Sequence, residues 1–317
     1  MMRHVMWLLL FSTLCPLLQA QTVLATESVK KAVVFLYATD SSNDKNSLGT
    51  GFLIKVPVKG APSSVVKNVM TVEGSVLLVT ARHIVDPAWG YCSRKQSDTI
   101  YMRVNKKDYD PTKDTTGVDY LSVLLVKNGV KQYFVRDDDD EVDAAFVDIS
   151  AEFPQDKYDA VPMVSYLFAS SDEMKKLQIG DSIASAGLIP GKSGEKRNYP
   201  FFKFGEISNI PDEPIWMACD PGMPELRLER VWFIATNLVG GNSGSPIFFV
   251  PLPMCLPGGG ATCTRGLSRP AIIGVQSSSV GGADIAGMTP IEDVFKIIEQ
   301  HSLPNLDLYR GEETQRK

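Results

Sequence analysis

The chain reads as an all-β protein, and three observations carry that reading. Short apolar runs rich in β-branched and aromatic residues recur along its 317 residues, clusters of Gly, Pro, Asn and Asp separate them, and helical patterning is confined to two places. The early strands are read at residues 32–37, 51–54, 76–79, 100–104 and 121–126, and later ones include 231–235 and 271–275. Residues 57–74, 86–98, 105–119 and 211–227 are rich in Pro, Gly, Lys and Asp and read as surface insertions. The two helices each open on a capping box. Ser170 with Glu173 starts one, and Thr289 with Glu292 starts the other, whose Val294, Ile297 and Ile298 should pack on the sheet.

Residues 1–20 read as a signal peptide. Arg3 gives a basic start, Leu8, Leu9, Leu10 and Phe11 open an apolar core, and Ala20 is a small residue at a cleavage point, with Ala25 as a second option. Ser12, Thr13 and Pro16 interrupt that core too early for a comfortable membrane span, so an uncleaved anchor is the lesser reading. The expectation is a secreted or periplasmic domain, residues 21–317, with no stable membrane span after cleavage. The formal charge of −5 becomes −6 when Arg3 leaves, which argues against nucleic acid as a partner. Cys15 also leaves, and an even four cysteines remain for an oxidising compartment. Cys255 and Cys263 bracket a Gly-rich loop, which leaves Cys92 for Cys219; this is the most economical of three connectivities, and four free thiols are the alternative. No Cys/His spacing points to a metal site, and no cofactor is called for.

The chemistry is concentrated around Ser243, which lies in Gly241-Asn242-Ser243-Gly244-Ser245-Pro246 just before an apolar run. Glycines on both sides let the backbone approach a substrate and turn N–H groups toward a developing oxyanion. A serine hydroxyl needs a base, and the chain holds only His4, His83 and His301. His4 is in the leader and His301 near the C-terminus, leaving His83 at the end of an apolar run. The imidazole in turn needs an orienting carboxylate. Asp143, at the start of Ala144-Ala145-Phe146-Val147, is the leading candidate, with Asp148 and Asp119 as alternatives. The gaps of 143 − 83 = 60 and 243 − 143 = 100 residues allow each member its own structural element. Between them, Asp137-Asp138-Asp139-Asp140-Glu141 reads as a solvated loop that could also bias the local field.

Five motifs in order give the chain a family resemblance. Gly49-Thr50-Gly51-Phe52, Thr80-Ala81-Arg82-His83, Val142-Asp143-Ala144-Ala145-Phe146, Ile179-Gly180-Asp181-Ser182-Ile183 with Gly205-Glu206-Ile207-Ser208, and the Ser243 segment span roughly residues 30 to 300. Together they resemble the chymotrypsin-like serine peptidases, most closely the bacterial branch that includes the high-temperature-requirement proteases, without the C-terminal PDZ modules many of those carry. The resemblance implies two packed six-stranded antiparallel β-barrels, the first at about 28–150 and the second at about 160–290, then a C-terminal helix at about 290–301. It implies a secreted serine endopeptidase with His83, Asp143 and Ser243 as the triad, Gly241 and Ser243 supplying oxyanion N–H groups, and a protein or peptide substrate. A silent peptide-binding domain and an esterase are the alternatives, and the oligomeric state is left open.

Departures from the family pattern carry expectations of their own. Ser245 stands where a second glycine is usual, Asn242 replaces an aspartate that serves zymogen activation, and Arg82 should lay its stem on the surface with its charge in water. The resemblance places the substrate pocket at Asn237, Leu238, Ser277 and Gly287, with Met288 nearby. Asn237 stands where trypsin-type enzymes carry an aspartate, so the expected preference is for apolar or small uncharged residues.

Overall fold

The run Val33-Val34-Phe35-Leu36-Tyr37 has no polar side, and its place in the fold explains why. In the computed structural model, which describes residues 27–39, 45–58, 63–66, 69–72, 74–164, 167–192, 194–219, 224–236, 241–251, 267, 269–280 and 284–301, this strand is buried on both faces. Phe35 and Tyr37 join one apolar core, Val34 and Leu36 the other. Because side chains alternate along a strand, a strand between two cores must be apolar throughout.

The N-terminal half contains β1 (Val33–Thr39), β2 (Lys45–Pro57), the hairpin β3 (Ser63–Val66) and β4 (Val69–Val72), β5 (Gly74–Thr80), β6 (Thr99–Asn105), β7 (Val118–Leu124), the short pair β8 (Val126–Lys127) and β9 (Val130–Lys131), β10 (Tyr133–Phe134), β11 (Ala145–Asp148) and β12 (Met163–Val164). Eight of these form a half-barrel sheet in the order β10-β11-β5-β2-β1-β6-β7, with β12 parallel to β2. The C-terminal half contains β13 (Ser182–Gly187), β14 (Phe201–Asn209), the hairpin β15 (Ile215–Ala218) and β16 (Leu226–Glu229), β17 (Trp232–Ala235), β18 (Pro246–Phe249), β19 (Ala271–Val280) and β20 (Ile285–Pro290). Six of them close a barrel in the order β13-β14-β17-β20-β19-β18. Each apolar run read from the sequence overlaps a strand. The first sheet does not close as the second does: its order ends at the two-residue β10 on one edge and at β7 on the other.

One core unites the two halves. Phe35, Phe52, Leu77 and Val79 from the first sheet meet Ile183, Ile247, Val275 and Met288 from the barrel, and the C-terminal helix Ile291–Gln300 adds Val294, Ile297 and Ile298. That helix lacks the expected capping box: Pro290 is its N-cap, and the Thr289 hydroxyl is used elsewhere. At the helical turn Ser171–Met174 the box from Ser170 and Glu173 is present as expected.

The segment 211–227 is more than a surface insertion. It folds into most of the β15–β16 hairpin, whose Met217, Cys219 and Arg227 are buried, and Cys219 is disulfide-bonded to Cys92 with Cα atoms 5.8 Å apart. Cys255 and Cys263 lie outside the described residues, as do residues 1–20, the expected signal peptide. Among the described residues no helix is long and apolar enough to cross a membrane. The Cys92–Cys219 bond ties positions 127 residues apart, and a loop of that length restricts the unfolded chain by about 5 kcal/mol. Urea unfolding with and without dithiothreitol should show a stability loss of that order on reduction.

Candidate active site

Strand β5 ends at Thr80, and Ala81 in extended conformation turns the chain into the single helical turn Arg82–Val85. His83 therefore stands at the rim of the sheet, its side chain 15% exposed. Beside β5 runs β11, with Ala145 opposite Thr80, which puts Asp143 two residues before the ladder begins. Its side chain has no exposure at all. One carboxylate oxygen, Oδ1, accepts the backbone N–H of His83 at 3.0 Å, and the other lies 2.7 Å from His83 Nδ1. The two contacts fix the ring's orientation and leave Nε2 facing away from the carboxylate. Burial by itself raises the Asp143 carboxyl, but the charges of His83 and Arg227 and the hydrogen bonds from His83 outweigh it, so the group is held below the ordinary carboxylate range. The Thr289 hydroxyl donates to the Asp143 carbonyl at 3.2 Å, tying this segment to the end of β20.

The Ser243 loop reaches the same rim by docking on Thr50. Thr50 N–H donates to the Ser243 carbonyl at 2.8 Å, Thr50 Oγ1 donates to the Gly241 carbonyl at 2.8 Å, and the Thr80 hydroxyl donates to the Thr50 carbonyl at 2.7 Å. Gly241 and Gly244 have φ of 92° and 85°, a region that favours glycine. A Cβ on Gly49 would lie 2.5 Å from Ile84 Cδ1 and 2.8 Å from the Ser243 carbonyl oxygen, so at this point the His83 turn and the serine loop close on one another. Asn242 is buried and its amide donates to the Leu188 carbonyl, holding the loop with a neutral bond. Ser245 is fully buried against Gly187, where a side chain would collide with its hydroxyl, and that hydroxyl has no partner among the described residues.

The structure brings His83 and Asp143 into direct contact. Ser243 is not hydrogen-bonded to the histidine; its hydroxyl faces the Ser277 carbonyl at 3.4 Å. Ser277 and Gly287 are neighbours on β19 and β20, since a Cβ on Gly287 would lie 3.0 Å from Ser277 Oγ. Asn237 and Leu238 lie outside the described residues. Met288 belongs to the barrel core and has no exposure. Asp148 and Asp119, the alternatives to Asp143, instead hold Ser150 and Lys106 respectively. Among the described residues no group of three or more His, Cys, Asp and Glu side chains could hold a metal ion.

The acidic run before Asp143 is paired rather than simply solvated. Asp138 takes a two-pronged bond from Arg136 at 2.6 and 2.8 Å, Asp139 and Glu141 pair with Arg230 at 3.0 and 3.2 Å, and Asp140 pairs with Arg82 at 2.8 Å. Arg82 is accordingly buried, with its guanidinium 4.9 Å from the Trp89 ring centre, instead of reaching into water. The sequence showed the acids but not their pairing, with Arg136 next to the run and with Arg82 and Arg230 from two distant segments. Sequence reading also missed Arg227, buried on β16, whose Nη2 lies 3.2 Å from Asp143 Oδ2. Its only local signal is the Arg-x-Glu alternation with Glu229, placing two opposite charges on one face of a strand.

No family model and no curated protein matches the chain. Among solved structures it is similar to the Rv3671c protease of M. tuberculosis. The active form matches at 14% identity and a TM-score of 0.44, over 90% of this chain and 87% of that one. The inactive form matches at 14% identity and 0.41, over 87% and 91%. Likenesses this distant carry no functional conclusion.

Arg136 also reaches Asp293 on the C-terminal helix at 2.8 Å, and both side chains are under a tenth exposed. Burial pushes the Asp293 carboxyl up against the opposing pull of Lys296 and Arg136. Arg136→Met should therefore cost about 3 kcal/mol by leaving the buried Asp293 only the longer pair with Lys296, and adding Asp293→Leu should recover most of it, both read from urea midpoints.

Proposed function

We propose that the chain is a secreted or periplasmic serine endopeptidase working through His83, Asp143 and Ser243. The observation that carries this reading is the two-point hold of a fully buried carboxylate on His83, at the rim where a glycine-flanked serine loop docks. Nδ1 donates to Asp143, so Nε2 is left as the acceptor a general base needs. Rotation of Ser243 away from Ser277 presents its hydroxyl to Nε2, and attack on a peptide carbonyl moves that proton to the imidazole. The bond from serine oxygen to carbonyl carbon forms as the carbonyl electrons move onto oxygen, toward the N–H groups of Gly241 and Ser243. The imidazolium then protonates the leaving amine, and a water molecule repeats the sequence to release the acid. The chemistry needs no cofactor.

The Ser243–Ser277 contact favours a second reading, a domain silent until its serine is turned. Apo active sites commonly show such loose contacts, so the hydrolase is the stronger proposal. Treatment with a phosphonofluoridate, followed by peptide mapping, should place the label on Ser243. Ser243→Ala or His83→Ala should remove nearly all peptide hydrolysis without unfolding the protein, and Asp143→Asn should leave a small residue of it. Undiminished turnover by Ser243→Ala would sink the assignment, and turnover of esters without peptides would make the enzyme an esterase.

For specificity, Asn237, Leu238, Ser277 and Gly287 are proposed as the pocket residues. None of these offers a negative charge to a cationic side chain. A peptide library should show cleavage after small or apolar residues at least tenfold above cleavage after Lys or Arg; the reverse order would mean the pocket lies elsewhere.

A further inference from the structure

The buried cation behind the dyad is called for by no motif and not by the resemblance. Arg227 sits on β16 with its side chain 2% exposed. Its Nη2 reaches the same Asp143 oxygen that holds His83 Nδ1, at 3.2 Å, and lies 3.5 Å from Nδ1 itself. Its Nε donates to Glu229 Oε1 at 2.7 Å, and its guanidinium carbon is 4.5 Å from the Trp89 ring centre. The backbone is shaped to it: Gly90 has φ of 64°, and a Cβ there would lie 2.5 Å from Arg227 Cβ. The Cys92–Cys219 bond fastens the turn carrying Gly90 to the hairpin carrying Arg227. Such a position costs desolvation and is not needed to close the barrel, since the β15–β16 hairpin is a separate two-stranded sheet.

We propose, resting on the serine-hydrolase reading, that Arg227 is a positioning residue which, with Glu229 as its counter-charge, limits how strongly Asp143 can stabilise an imidazolium and so keeps His83 available as a base in mildly acidic surroundings. The physical basis is competition for one carboxylate. A cation already sharing Asp143 Oδ2 leaves less attraction for a second cation on the imidazole and repels it directly. Glu229 tempers the effect. It is fully buried, one of its oxygens has no hydrogen-bond partner among the described residues, and burial together with the charge of Asp143 pushes its carboxyl up to about 7. As pH falls through that value Glu229 takes up a proton, and the charge of Arg227 acts on the dyad undiluted.

Other charged groups lie near Arg227. Glu225, two residues before it, has one buried oxygen without a hydrogen-bond partner among the described residues. Arg94 is pushed down first by burial and then by the charge of Arg227. Arg82, also over Trp89, is offset by Asp140 and Asp86, and Arg230 by Asp139 and Glu141. His83, Asp143 and Glu229 are left as the groups through which Arg227 acts.

The test reads His83 directly, by imidazole nitrogen NMR across pH, in wild type, Arg227→Met, Glu229→Gln, Arg227→Lys and the double variant R227M/E229Q. Removing Arg227 should raise the His83 titration midpoint by about one pH unit, and removing only Glu229 should lower it by clearly less, because Glu229 already takes up a proton at about 7. Arg227→Lys keeps a charge but not the fork that holds Asp143 and Glu229 together, so its midpoint should fall between wild type and Arg227→Met. Arg227→Met leaves Glu229 buried alone, so where it folds poorly the comparison is R227M/E229Q against E229Q, again about one unit upward. The acid limb of kcat/KM should move with the midpoint. Shifts of the same sign in the Arg227 and Glu229 variants, or no shift when Arg227 is removed, overturn the proposal. Midpoints that move as expected in a protein that neither cleaves peptides nor takes the phosphonofluoridate label leave the electrostatic role standing and overturn the hydrolase reading instead.

Discussion

The structure turns on one carboxylate taken wholly out of water. A buried ion costs several kcal/mol unless charge and hydrogen bonds replace its hydration. At Asp143 the replacement comes from the His83 backbone, the His83 ring and the Arg227 guanidinium, drawn from two distant segments. That need explains why the helical turn after β5 must begin where it does and why the β15–β16 hairpin must reach across to it. It also explains why the segment preceding Asp143 is held so firmly.

The hold is electrostatic in form and positional in effect. Arg82, Arg136 and Arg230 each take acids of residues 138–141, and Arg136 extends the network to Asp293 on the C-terminal helix. Exposed pairs of this kind contribute little to stability one by one. Here several share a short segment and three are anchored on buried arginine or aspartate side chains, so together they fix where the chain enters β11. The backbone of Trp89–Tyr91 and the Cys92–Cys219 bond complete the enclosure around Arg227.

On the opposite side, Thr50 does for the serine loop what Asp143 does for His83. Its N–H, hydroxyl and carbonyl are all engaged, by Ser243, Gly241 and Thr80 respectively. A glycine at 244 is required because a side chain would run into the Thr50 carbonyl. The serine and histidine segments are thus registered through β2, the strand that pairs with both β1 and β5.

Much of this was legible before any coordinates. Strands buried on both faces betray themselves as unbroken apolar runs, and a glycine-flanked serine, one well-placed histidine and an acid before an apolar strand are local patterns. The Ser170 capping box was local too, and it is present. The Thr289 box is not. The carbonyl of Asp143, distant in sequence, takes the hydroxyl that the pattern assigned to the helix. For the same reason the acidic run read as solvated: apart from the adjoining Arg136, its partners Arg82, Arg230 and Gln300 reach it only when the segments after β5 and β16 and the last helix pack. Arg227 gave almost no signal, because an arginine in a loop-like stretch ordinarily marks surface. The sequence by itself determined the all-β class, the strand positions and the residue types able to do acyl transfer. Tertiary structure alone decided which charges face one another, since that depends on elements separated by up to a hundred residues or more and on how much water their packing leaves between them.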